Sequence, residues 1–181
     1  MPLSTPAPRK LVHRRAVKCR GYHREDGLWD IEGHVVDTKT YAFENRERGT
    51  IEPGEPIHDM WVRVTVDDNL VIHDAEAVTD HGPFSVCPAI ADRFKLLVGL
   101  RIGRGWRRKV QELLGGVNGC THLRELLGPV ATTAFQTIYP IKSRRKGEAN
   151  NGKKPPILDS CHALASNSEI VKVHWPRFYT G

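Results

Sequence analysis

No stretch of the 181-residue sequence approaches the roughly 18 consecutive apolar residues that a membrane-spanning helix needs. Cysteine is scarce and scattered: Cys19, Cys87, Cys120 and Cys161 form no CxxC pair, so a disulfide framework is not expected. Unpaired cysteines are then buried filler, metal ligands or reactive thiols. Aromatic residues make up only 7% of the chain, which leaves few of the stacking platforms that single-stranded nucleic acid favours. The opening MPLSTPAPRKLVHRR has prolines and basic residues but no apolar run after them, so no secretory signal is expected and the protein reads as soluble and cytoplasmic. No internal repeat is visible.

What is present suits a globular fold. Hydrophobic residues account for 39% and charged residues for 27% of the chain, within the range of an ordinary domain. The expected layout is a flexible tail over residues 1–12 and a single α+β domain over 13–181, with a flexible basic loop at about 141–156. Much of the net charge of +6 sits in Arg9 to Arg15 and Lys142 to Lys154. Such runs are usually solvated chain, and nucleic-acid binding is disfavoured, although a basic partner-binding module stays open as an alternative.

The pattern along the chain alternates first and turns helical later. LWDIEGHVVD, residues 28–37, reads as a strand after the turn Glu25-Asp26-Gly27. ENRERGTIEPGEP, residues 44–56, reads as an exposed loop. IHDMWVRVTVD alternates, turns at Asp67-Asp68-Asn69, and returns over Leu70 to Thr79 as an antiparallel hairpin. A first helix is expected from Pro88, with Ile90, Phe94, Leu97 and Val98 as its stripe and Gly99 as its stop. A second runs from Trp106 to Leu114. A third begins near His122, and its Leu123, Leu126, Leu127, Val130, Ala134 and Ile138 recur at steps of three and four residues. A last hairpin is expected over Ile157 to Trp175. The fold class is α+β: an antiparallel sheet of hairpins packed on three helices.

The chemistry-bearing residues gather at helix beginnings. Cys87 stands directly before Pro88, at the expected N-cap, where free N–H groups and the helix dipole favour a thiolate. Cys120 and His122 point about 200° apart within one regular helix. They share a metal only if Gly119-Cys120-Thr121 is a turn. His58-Asp59 adds an imidazole and a carboxylate at the start of the middle hairpin, and Cys161 is the further thiol. Cys87, Cys120, His122, His58, Asp59 and Cys161 therefore form a candidate set of soft and borderline ligands for zinc or iron. The same groups serve nucleophilic catalysis, with a cysteine attacking and His122 or His58 as base. The plainer readings are a small buried hydrophobe for each cysteine and strand-entry residues for His58 and Asp59. Arg101, Arg104, Arg107, Arg108 and Lys109 offer positive charge to a small anionic ligand, or simply form a solvated helix face.

HREDGLWDIEG, PIHDM, SVCPAIA, LVGL, GCTHLRELL and LDSCHAL together resemble a family of small bacterial proteins known only as a domain of unknown function, from His13 onward. Over roughly residues 57 to 139, the order of hairpin, cysteine before a helix, LVG, and cysteine beside histidine is also similar to the NifU/IscU-like iron–sulfur scaffolds. That similarity implies a metal site in which His58-Asp59, Cys87, and Cys120 with His122 occupy the three ligand regions. Here the first scaffold cysteine is missing and the histidine follows its cysteine instead of preceding it, which implies a mixed Cys/His/Asp site in place of a three-thiolate one. The expected function is a zinc- or iron-binding accessory, carrier or scaffold-like protein. The alternative is a cysteine- or metal-dependent enzyme acting on an acyl or thioester substrate.

Overall fold

Alternating polarity along extended segments builds a sheet with one dry face. In the computed structural model, which describes residues 3–145 and 153–181, four long strands pair antiparallel in the order β1-β2-β5-β6. They are β1 (His13–His23), β2 (Trp29–Lys39), β5 (Pro56–Val66) and β6 (Ile72–His81). Along β2, odd-numbered positions from Trp29 to Asp37 are buried and the even-numbered ones between them only partly so, the period of two that side chains follow on a pleated strand. The turn before β2 closes through a bond from Arg24 N–H to the Leu28 carbonyl, and Gly27 takes the positive φ of 85° that it requires.

The dry face packs against helices. Phe94 and Leu97 come from a run of 3-10 turns over Cys87–Leu97, and Trp106, Val110 and Leu114 from α1 (Trp106–Leu114). The long α2 (Thr121–Arg145) contributes Leu123, Leu126, Leu127, Val130, Ala134 and Ile138. Residue 33 in β2 lets α2 come close: a Cβ on Gly33 would sit 2.6 Å from Val130 Cγ2. Side chains from β2, β5 and β6 complete one contiguous core.

Several expectations are corrected. Residues 44–56 are not wholly loop, because β3 (Phe43–Asn45) and β4 (Gly49–Ile51) form a small hairpin of their own that buries Ile51. The first helix winds as 3-10 rather than α; its N-cap is Val86, Cys87 is its first residue, and Val98 lies outside it and exposed. No hairpin forms over 157–175. Tight turns there lead into the short α3 (Glu169–His174), which Ser168 caps by accepting from Val171 N–H. Of the expected basic loop, residues 141–145 continue α2, which passes through Pro129 and Pro140; residues 146–152 lie outside the described part.

Contacts divide the chain into two compact units, Met1–Pro140 and Ile141–Gly181. The first holds the sheet and its core. The second centres on buried Leu158 and Val171 and on the Asp159 carboxylate, which accepts from Lys154 Nζ and from the Ser166 backbone and hydroxyl. These donors hold the Asp159 carboxyl down at about 2. No helix among the described residues is long and apolar enough to cross a membrane.

Candidate functional site

The buried parity of β2 carries apolar side chains until it reaches Asp37, which is 1% exposed. A carboxylate in that position needs partners, since an uncompensated buried charge is very costly. The sheet register supplies them by placing Arg15 of β1 on one side of Asp37 and His58 of β5 on the other. Arg15 donates from Nε and Nη2 to the two Asp37 oxygens, each at 2.8 Å, in the fork geometry that suits a carboxylate. His58 Nδ1 lies 3.0 Å from Oδ2, and His13 Nε2 lies 3.3 Å from Oδ1. Immediately beyond the Asp37–His58 pair the register slips by one residue, a bulge of the kind that re-aims side chains at the end of a ladder.

The start of α2 closes the group from above. His122 stacks on His58 with ring centroids 3.6 Å apart and 29° between planes. One turn further on, Glu125 accepts from Arg15 Nη1 at 2.7 Å. Ligand-capable atoms of Asp37, His58 and His122 all lie within 4.8 Å of one another, and no other group of three or more histidine, cysteine or acidic residues does so among the described residues.

Electrostatics fixes the protonation states. Burial pushes the Asp37 carboxyl upward, but the Arg15 hydrogen bonds and charge, helped by His58, outweigh it and leave the group below the usual range. Burial lowers the His58 imidazole, the neighbouring His122 lowers it further, and the pull of Asp37 does not fully compensate. His122 is also lowered, first by burial and then by Arg15, against the opposing pull of Asp37 and Glu125. Two imidazoles held below their ordinary value beside an ionised carboxylate keep lone pairs available at neutral pH.

Of the six residues expected to share a site, two fall in the one ligand-capable group found among the described residues. His58 and His122 come together, but Asp59 does not join them. Neighbours on a strand point to opposite faces, so Asp59 turns outward and meets His34 Nε2 at 2.6 Å. Cys120 lies just ahead of α2, its carbonyl accepting from Arg124 N–H; its sulfur is 3.9 Å from His122 Nδ1, yet it is not within reach of all three ligand atoms. Cys87 joins no ligand-capable group of three or more among the described residues; its side chain packs against Gly82, just past the end of β6, where the 3-10 run begins. Cys161 is exposed in the second unit. Cys19 faces the core opposite Gly33, and burial raises its thiol.

Asp37, Arg15 and His13 were not anticipated. For Asp37 the signal exists in the sequence, because Trp29, Ile31, Val35 and Asp37 share one parity and an acid at the end of an apolar stripe demands a partner. Arg15 carries no such mark, since its neighbours Arg14 and Lys18 are equally basic and its role follows from strand register alone.

Comparison with family models matches residues 13–136 to the family described as Protein of unknown function (DUF2889). The chain belongs to the DUF2889 family. The match contains the whole cluster, from His13 through Glu125. Curated proteins and solved structures give no match, and the likeness to NifU/IscU-like scaffolds gains no support from them.

Proposed function

We propose that this DUF2889 protein binds a divalent transition metal, zinc or iron, through Asp37, His58 and His122, and acts as a metal-binding accessory or carrier protein. The observation that carries this reading is the convergence of three ligand-capable atoms within 4.8 Å. Two imidazoles and a carboxylate are a donor set that both metals accept, and three protein ligands leave positions for water or an exchanging ligand. Arg15 supports reversible loading. By satisfying both Asp37 oxygens it leaves the metal-free protein with no uncompensated buried charge, and an entering cation must compete with a guanidinium that Glu125 also holds.

Titration calorimetry on metal-depleted protein tests this. One zinc or ferrous ion per chain is expected, with His58→Ala and His122→Ala each weakening binding at least about tenfold and Cys87→Ala and Asp59→Asn leaving it unchanged. Absence of stoichiometric binding overturns the proposal, as does binding that survives loss of both histidines, since the other seven histidines of the chain are the obvious source of adventitious uptake.

A second reading rests on the Cys120–His122 contact at 3.9 Å. An imidazole beside a thiol is the arrangement of a cysteine nucleophile, which suits an acyl or thioester substrate. Alkylation of Cys120 that is faster than in the unfolded chain, and slowed by His122→Ala, supports it. Equal rates dispose of it.

A further inference from the structure

The outer face of the sheet, opposite the core, carries a second constellation. Register sets Lys18 beside His34 and His34 beside Trp61 in one row, with Arg20, Glu32 and Arg63 in the next. Lys18, Arg20, Glu32, His34 and Trp61 line a shallow depression of about 60 Å³. Its wall is rigid. His34 is bonded to Asp59 at 2.6 Å and stacked on Trp61, with centroids 3.6 Å apart and planes 6° from parallel.

The other lining groups are uncommitted. Arg63 pairs with Glu76, and Asp30 with Thr65 and Arg24, so the charges flanking the depression are neutralised. The side chains of Lys18, Arg20 and Glu32 make no hydrogen bond or ion pair among the described residues. Lys18 and Arg20 are the two cations of the lining, and together they suit a small monoanion. A phosphate dianion meets more repulsion from Glu32 than a carboxylate monoanion held by Arg20 and Lys18 does. Glu32, an acceptor without a donor, completes the recognition if the ligand brings an O–H.

We propose that this depression binds a small hydroxycarboxylate, its carboxylate on Lys18 and Arg20, its hydroxyl donating to Glu32, and its apolar side against the Trp61–His34 wall. The site lies on the opposite face from Asp37, His58 and His122, so it stands or falls independently of metal binding.

Glycolate is the probe, with acetate and inorganic phosphate as comparisons, followed by the Trp61 indole signals in NMR titrations and by calorimetry. Glycolate is expected to shift the Trp61 signals and to bind at least about tenfold more tightly than acetate, the contribution of one hydrogen bond to a charged group. Glu32→Gln should shrink that preference, and Lys18→Met with Arg20→Met should weaken both carboxylates about tenfold or more, with unchanged circular dichroism. His58→Ala should bind glycolate normally. The proposal is overturned by an unmoved Trp61, by glycolate, acetate and phosphate binding alike, or by affinity that survives the double substitution.

Discussion

Each face of the four-stranded sheet carries a histidine bonded to an aspartate, and the two pairs live under different physics. Inside, His58 meets Asp37, which is 1% exposed and held by a bidentate arginine. Outside, His34 meets Asp59, with side chains 19% and 23% exposed and an indole beneath the ring. The residue types are the same. The inner pair is wedged beneath α2 beside a second imidazole, so its charges are set by neighbours and burial, while water shares in solvating the outer pair. A functional assignment made from residue types alone cannot separate them, and the sequence in fact sets one member of each pair side by side, as His58-Asp59.

The largest difference should appear on removing the carboxylates. Asp37→Ala leaves Arg15 and the imidazoles without their acceptor, and should destabilise by roughly 3 kcal/mol, the low end for breaking a buried pair because Arg15 still reaches water. Urea unfolding of this variant beside Asp59→Ala checks the contrast, and equal losses would erase the distinction between the faces.

Close packing supplies the next test. Gly33→Ala puts a methyl group 2.6 Å from Val130 Cγ2 and should cost roughly 1–3 kcal/mol through overpacking. A thermal midpoint unchanged from wild type would show that α2 gives way over β2 without cost.

Acid should expose the inner pair as well. His58 and His122 titrate below 6.5 in the folded protein, so the unfolded chain binds more protons in the window between the folded values and 6.5. Stability is therefore full above 6.5 and falls as pH drops through that window, by at most about 1.4 kcal/mol per pH unit per histidine. Asp37, lowered below 3.8, adds stability that is present above 3.8 and lost as pH falls through its folded value. Unfolding measured from pH 7.5 to 5 should show the first slope in wild type, flattened in the His58→Ala, His122→Ala double variant. An equal slope in both would remove the histidines as its source.

The smallest effect belongs outside: Asp59→Asn should change stability by no more than about 1 kcal/mol, the scale of one partly solvated hydrogen bond. A loss matching that of Asp37→Ala would mean that the outer pair is as tightly coupled as the inner one.

Much of the fold was legible because long elements announce themselves by period. The α1 helix has the expected bounds, Trp106–Leu114, and the stripe from Leu123 to Ile138 is the buried face of α2. Short pieces were harder. Three residues of β3 or β4, or six of α3, hold too few repeats to show a period, and local capping decides them. Of the candidate ligands, His58 and His122 meet, while Cys87 does not join them, because proximity to a helix start says nothing about which helix starts adjoin.

Local chemistry written in the chain determined where strands alternate, where helices begin, and that an acid would end the buried parity of β2. Which side chains meet that acid was decided only when β1, β2 and β5 took their register and α2 lay across them. Pairing across strands joins residues more than twenty apart in sequence, and a slip of one position would send every side chain to the other face.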